Sequence, residues 1–472
     1  MSEKVKIGLF GIGLNTYWGQ FEGLKEKLIA YQARIAARIG DVELFNAGLV
    51  DDIDSARKAS GQFAAARVEL IFLYVSTYAL SSTVLIVVRE LNVPVIVLNL
   101  QPSRQLDYSA FNGLNDREKM TGIWLENCQA CSCPEIACVF SRAKIDYHLV
   151  NGYLDDPCAW REIDEWIAAA KTASALKHSN IAVLGHYYCG MLDVYSDMTA
   201  LSSAFGVHFE LLEMCELAKY RDEVDNPSLQ EKLREISHFF KVSPECEPYE
   251  LERAARTGCA LDRLFSTRKI DAMAYYYESE AGNPYQDIVT SLIPGNTLLT
   301  GTHRPVAGEC EIRNAIAMKI MDLLNAGGSF SELYLSDFED DVIYFGHDGP
   351  AHFAIAEGPV ELVPVPLYHG KPGKGLSIQM TVKHGPVTLL ALVHGADGEI
   401  SLAAAEGESV PGPVLHIGNT NSRYRFSIGA REFLSRWCAA GPAHHCAIGV
   451  GHIAGVLEKL AEILKLRLIR IS

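Results

Sequence analysis

The chain has 472 residues, 49% hydrophobic and 21% charged, with 42 Lys and Arg against 58 Asp and Glu and a formal charge of −16 at neutral pH. That balance supplies ample apolar material for large cores and excludes a disordered or fibrous chain. A net negative surface argues against nucleic acid or an anionic membrane as partner, since both need clustered basic charge.

The run from Met1 to Phe10 enters strand-like apolar sequence without a secretory leader. The most apolar stretch, Val84 to Leu100, is interrupted by Arg89, Glu90 and Pro94, so no membrane span is expected. Twelve cysteines without an export signal read as reduced thiols. A cytoplasmic protein of about three domains is expected.

Val5 to Phe10 reads as a strand, followed by a turn at Gly11, Gly13 and Asn15 and an amphipathic helix from Gln20 to Ile39. Leu70 to Val75 and Val93 to Leu100 are further apolar strands with helical sequence between them. Such alternation predicts a parallel sheet covered on both faces, with ligands gathered beyond the carboxyl ends of its strands. There Gly11 to Tyr17, Ser76 to Ala79 and Gln101 to Arg104 are expected. Ala168 to Asn180 reads as a linker-like stretch, polar and helical in composition.

The pattern then restarts. Strands are expected at Ile181 to Leu184, Phe209 to Met214 and Ala272 to Tyr277, with helices at Ser196 to Phe205, Leu217 to Phe240 and Ile312 to Ala326. Gly327-Gly328 is a plausible stop for the last of these. Beyond Ser329 short β-runs take over, at Val342–Phe345, Val360–Pro364, Leu376–Val382, Val387–Val393, Glu399–Ala405 and Val414–Ile417. A helix, Ile453 to Leu464, and a strand near Arg467–Ile471 finish the chain. The expected fold is α/β: two doubly wound, Rossmann-like parallel-sheet domains, 1–175 and 176–327, and a third domain, 328–472, that is antiparallel and β-barrel-like.

Gly11-Ile-Gly13 is half of a dinucleotide fingerprint; the third glycine would fall at Thr16, so no nicotinamide site is expected. Cys128, Cys131, Cys133 and Cys138 match no common metal spacing and read as small core residues, Cys138 within a buried run. The stronger signal is four segments that set a hard-metal ligand beside small residues. They are Ala307-Gly-Glu309, Gly327-Gly-Ser-Phe-Ser-Glu332, Gly346-His347-Asp348 and Gly441-Pro-Ala-His444-His445. Two carboxylates with one or two imidazoles suit Mn²⁺, or else Mg²⁺ or Co²⁺, with positions left for substrate. Adjacent strand residues point to opposite faces, so only one of His444 and His445 is expected to face a metal.

This ordered series resembles L-arabinose isomerase, within the wider L-arabinose/L-fucose isomerase group. The resemblance is strong from Glu278 to Phe345 and at Gly441–His445, and faint but collinear before. It implies two α/β domains and a β-barrel-like domain, and an aldose–ketose isomerase interconverting L-arabinose and L-ribulose. Glu309, Glu332, His347 and His445 would then hold Mn²⁺, with Glu309 and Glu332 also the acid/base pair for proton transfer between C1 and C2 through an enediol. Met191 and Tyr277 would line the sugar pocket, and Tyr17 and Trp18 would lie near a substrate loop. Homo-oligomers, tetramers or hexamers, are implied, with active sites near subunit interfaces. Where the family has a histidine after its third strand, this chain has Asn99, Leu100 and Gln101. A fucose-type isomerase, an epimerase, a hydride-shift mechanism and a non-catalytic sugar-binding protein remain open to the sequence.

Overall fold

The structure, a computed structural model, describes residues 4–278, 280–365 and 374–472. The chain divides into two compact units, Met1–Ser174 and Ala175–Ser472. The two later parts of the expected layout, 176–327 and 328–472, thus share one unit. No described helix is long and apolar enough to cross a membrane.

The first unit is built on five parallel strands: β1 (Lys6–Ile12), β2 (Glu43–Val50), β3 (Leu70–Tyr74), β4 (Val95–Gln101) and β5 (Tyr147–Tyr153). Their order is β2-β1-β3-β4-β5. Every residue of β3 is buried, as a central strand covered on both faces requires. Phe10, Phe63, Val84 and Phe140 join strands and helices in one core. The helix Ile53–Ala66 starts where the Asp52 carboxylate accepts the Ser55 N–H at 2.8 Å, a capping box.

Ala168 to Asn180 contains the boundary between the two units, and most of it is helical, belonging to the helix Pro157–Leu176, which buries Ala169, Ala170, Ala173 and Leu176. Alanine adds little hydrophobic signal yet is the best helix former. Cys138 is exposed, not buried. It lies with Cys131, seven residues away, on the outer face of the helix Gln129–Ala143, while Cys128 and Cys133 are buried.

In the second unit come β6 (Asn180–Gly185), β7 (His208–Leu212), β8 (Lys241–Val242), β9 (Ala272–Tyr276) and β10 (Val306–Ala307). Four of them form a parallel sheet in the order β10-β9-β6-β7. The expected helix over Leu217 to Phe240 is two helices, Met214–Asp222 and Asn226–Phe239. The break comes where Asp225 caps the second helix by accepting the Ser228 N–H at 2.8 Å, with Pro227 in its first turn.

The rest is antiparallel-rich: β11 (Gly327–Asp337), β12 (Val342–His347), β13 (Glu361–Val365), β14 (Gly375–Gln379), β15 (Gly385–His394), β16 (Ile400–Val410), β17 (Thr420–Arg425), β18 (His445–Val450) and β19 (Arg467–Arg470). Seven of these run in the order β15-β18-β11-β12-β17-β16-β19, and β15 also pairs with β16, which closes six strands into a ring. Only β19 joins in parallel. β14, β13 and β8 make a separate three-stranded sheet. Phe345, Tyr424, Phe433, Leu389 and Ile448 fill the core.

Gly327-Gly328 opens β11 rather than closing the preceding helix, which ends at Leu323. At Gly328, φ is +106°, and a Cβ would stand 2.9 Å from the Met318 carbonyl oxygen, so only glycine passes between helix and strand. Val414 to Ile417 forms no strand. The Asn421 side chain holds this loop by donating to the Leu415 carbonyl (2.9 Å) and accepting its N–H (2.8 Å). The strand lies just beyond, in β17, whose polar sequence Thr-Asn-Ser-Arg-Tyr-Arg hid it.

Candidate functional site

Strand order in the second unit's parallel sheet reverses between β6 and β9, the position at which doubly wound sheets open a crevice. A cavity of about 590 Å³ lies there. Tyr188 and Met191 line it from the loop after β6, Tyr276 and Tyr277 from the end of β9, and Gly308 and Glu309 from the end of β10. Its other wall comes from the ring of strands: Glu332, Leu333 and Tyr334 of β11, His347 to Gly349 at the end of β12, and His444 before β18.

Glu309 and Cys310 both adopt left-handed backbone, with φ of +53° and +58°. Each such residue costs about 1–3 kcal/mol, strain that tends to persist at functional sites. The Cys310 N–H donates to the Tyr275 carbonyl at 2.9 Å, tying this bend to the end of β9. Glu332 is held differently, by register. On β11 it stands opposite His445 of β18 and Gly346 of β12. Directly opposed antiparallel residues share a face, so this pairing sets a carboxylate beside an imidazole. His347 is the last residue of β12.

Glu309, His347 and His445 each offer a ligand atom within 4.8 Å of the others, and so do Glu332, His444 and His445. His347 Nε2 is 3.9 Å from Glu309 Oε1, and His445 Nε2 is 3.5 Å from Glu309 Oε2. Phe330 packs against both imidazoles, its ring centroid 4.4 Å from each, and the two imidazoles lie 5.3 Å from one another. His445 is 1% exposed, and neither of its ring nitrogens has a hydrogen-bond partner; Glu309 Oε2 is also buried without one. Buried polar groups left unpaired cost about 1–3 kcal/mol each, and a divalent cation shared among them would satisfy several at once. The donor set therefore fits a metal ion.

Charge is finely divided in this cluster. Burial works against ionisation of Glu309, but His444, His445 and His347 around it hold its carboxyl below the usual range. Burial dominates at Glu332 and pushes its carboxyl up. Burial, with His347 and His444 nearby, keeps His445 neutral well below its ordinary value. At His444 burial is outweighed by the carboxylates of Glu309 and Asp193, which raise it to about 9. Below the cluster, the fully buried Glu311 is pushed up to about 7 by burial, with Arg313 opposing.

Of the residues singled out from sequence, Glu309, Glu332, His347, Met191 and Tyr277 line this one cavity, and His445 lies against Glu309. Tyr17 and Trp18 belong to the first unit. There they pack with Phe21 against Leu24, Leu28, Leu125 and Cys128, and Trp18 Nε1 donates to Asp51 at 2.7 Å. Sequence reasoning set His444 aside because of strand alternation, but β18 begins at His445, and the two imidazoles lie 3.8 Å apart. Asp193 and Asp348 gave no signal. Asp193 is 251 residues from its partner His444.

A doubly wound sheet joined to a strand ring, with a carboxylate–imidazole cluster at its switch point, defines the class: an α/β protein with a candidate centre for a divalent cation. No family model matches the chain. Individual sequences do: L-arabinose isomerase 1 of Bacillus licheniformis is 22% identical over 76% of this chain and 71% of its own length. The L-arabinose isomerase of Nocardioides sp. is 23% identical over 72% and 69%, and that of Serratia proteamaculans 21% over 70% and 67%. The chain's resemblance to the L-arabinose isomerases thus extends over more than two-thirds of its length.

Proposed function

We propose that this protein is a divalent-metal-dependent aldose–ketose isomerase, interconverting L-arabinose and L-ribulose. The observation that carries the reading is the convergence of Glu309, Glu332 and His347 on one cavity, with His445 directly against Glu309, from four separate segments of a chain similar to L-arabinose isomerases. These four side chains would hold Mn²⁺, with Mg²⁺ or Co²⁺ as substitutes. Nε2 of His347 faces Glu309 at 3.9 Å and would offer its lone pair when Nδ1 carries the proton; Nδ1 lies between the Gly349 N–H at 2.9 Å and the Asp348 carboxylate at 3.3 Å.

When bound, the cation supplies Lewis-acid polarisation of neighbouring carbonyl and hydroxyl oxygens of an open-chain sugar. Glu309 and Glu332 form the acid/base pair: one carboxylate takes the proton from C2 and returns it to C1, and its partner moves the hydroxyl proton between O2 and O1. Met191, Tyr276 and Tyr277 line the cavity, where their apolar faces orient the sugar and exclude water. Tyr17 and Trp18 are assigned to a substrate loop, and a cytoplasmic homo-oligomer, tetramer or hexamer, of subunits with three domains is part of the same reading.

A panel of aldoses incubated with the protein and Mn²⁺, read as ketose formed, tests the proposal. L-Arabinose should give L-ribulose, EDTA should stop the reaction, and Mn²⁺ should restore it. Full turnover in metal-free protein, or no ketose from any aldose, would overturn it. Run in D₂O, the reaction should place deuterium in the product; a product free of deuterium would mean hydride shift instead of proton transfer.

A further inference from the structure

We propose that His444 is a further metal ligand of this centre and that Asp193 is the positioning residue that aims its ring. The inference rests on the metal-dependent reading above and adds a donor that neither strand periodicity nor the four-residue set includes.

Three observations carry it. The first is placement. His444 precedes the first paired residue of β18, so alternation does not turn it away, and its Nε2 comes to 3.4 Å from Glu309 Oε2, matching the 3.5 Å of His445 Nε2 to the same oxygen. Together with Glu332 and His445 it makes a second trio of donor atoms within 4.8 Å, sharing His445 with the trio that contains Glu309 and His347.

The second observation is the tautomer. Asp193 Oδ2 accepts twice from this one residue, from the His444 backbone N–H at 3.1 Å and from Nδ1 at 2.6 Å. A carboxylate at Nδ1 fixes the proton there and leaves the lone pair on Nε2, on the Glu309 side. Histidines that bind metals characteristically donate their other ring N–H to a carboxylate or carbonyl in this manner, which orients the ring and raises its basicity. At His347 the corresponding nitrogen is contested between the Gly349 amide and Asp348.

The third is anchorage. Asp193 lies in the short helical turn Leu192–Val194, and its own carbonyl accepts a hydrogen bond from Arg313, a residue only 5% exposed whose Nε lies 3.3 Å from Glu311 Oε1. Glu311 Oε2 in turn lies 3.7 Å from Nδ1 of His445. One buried arginine therefore links the turn that aims His444 to the acid beneath His445.

The test is binding of Mn²⁺ alone, without sugar, by titration calorimetry and by the electron paramagnetic resonance of the free ion. His444→Gln and Asp193→Asn should each weaken Mn²⁺ binding roughly 10- to 100-fold, as loss of an orienting partner typically does, and Asp193→Glu should recover part of the loss. Far-UV circular dichroism checks the fold. Should His444→Gln not fold, the two Asp193 variants carry the test, since that side chain is 43% exposed. Unchanged Mn²⁺ affinity in the folded variants, even with lowered turnover, overturns the inference and moves His444 to the substrate. If the wild-type protein itself binds no Mn²⁺, the metal-dependent reading falls, and this inference with it.

Discussion

Strand order reverses between β1 and β3 in the first unit and between β6 and β9 in the second, so each parallel sheet offers a crevice at the carboxyl ends of its strands. What fills the two crevices differs. In the first, the Ser76 hydroxyl donates to the Ile12 carbonyl, Thr77 donates to the Leu125 carbonyl at 2.7 Å, and Gln129 Nε2 donates to the Ser76 carbonyl at 3.0 Å. Part of its polar complement is spent on nearby backbone, while Gln32 Oε1, Tyr74 OH and Gln129 Oε1 are buried without partners but bring no carboxylate–imidazole group together. In the second, Glu309 Oε2 and both His445 nitrogens are buried without hydrogen-bond partners, beside two left-handed residues. Among the described residues, both groups able to hold a metal lie in this unit. Topology makes the crevice; a converging set of carboxylates and imidazoles marks the one prepared for a ligand.

The sharpest way to break this contrast is at the carboxylates. Glu309→Gln and Glu332→Gln should each lower kcat by about 10³-fold or more with the circular dichroism unchanged, the scale of lost acid/base catalysis combined with a lost ligand. Near-wild-type isomerisation by either would remove the assignment. A matched pair of aromatic truncations comes next. Phe330, packed against both His347 and His445, and Phe63, in the core of the first sheet, are both fully buried. Replacing either with Ala should cost about 3–5 kcal/mol in urea denaturation. Only Phe330→Ala should also raise the Mn²⁺ concentration needed for half-activity. If Phe63→Ala does the same in the folded protein, the two crevices are not independent in function.

The third prediction concerns pH. His352 is 3% exposed, neither ring nitrogen has a hydrogen-bond partner, and burial lowers it from 6.5 to about 4, with the Asp322 carboxylate opposing too weakly. The unfolded chain therefore takes up this proton before the folded one does. The contribution is whole above about pH 6.5, erodes as pH falls, and by about pH 4 amounts to about 3 kcal/mol lost. Urea midpoints at pH 5 and pH 7 should differ less in His352→Leu than in the wild type; an equal difference would refute it. The smallest effect is expected at Asp197, which caps the helix Met198–Phe205 by accepting the N–H groups of Thr199 (2.8 Å) and Ala200 (3.0 Å). Asp197→Ala should cost about 1 kcal/mol, read as a small drop in the urea midpoint.

Much of the fold was legible because its signals are local. The apolar runs of β3 and of Val95 to Leu98 in β4, and the change to short strands after Ser329, follow from hydrophobic periodicity. Glu309, Glu332, His347 and His445 stood out because each is a hard ligand beside small residues. β17 was hidden because its buried residues are mostly polar. Strand alternation set His444 aside although it lies outside β18, which begins at His445.

By itself, then, the sequence determined the alternation of elements, the two parallel sheets, the later antiparallel strands and a short set of hard ligands, all of which are written in neighbouring residues. Tertiary structure alone decided which ligands meet. The register of β11 against β18 sets Glu332 opposite His445, the left-handed bend after β10 aims Glu309 between the imidazoles, and Asp193 reaches His444 across 251 positions. Side chains that far apart in the chain share no local pattern, because what brings them together is the packing of whole sheets and not the preferences of any one segment.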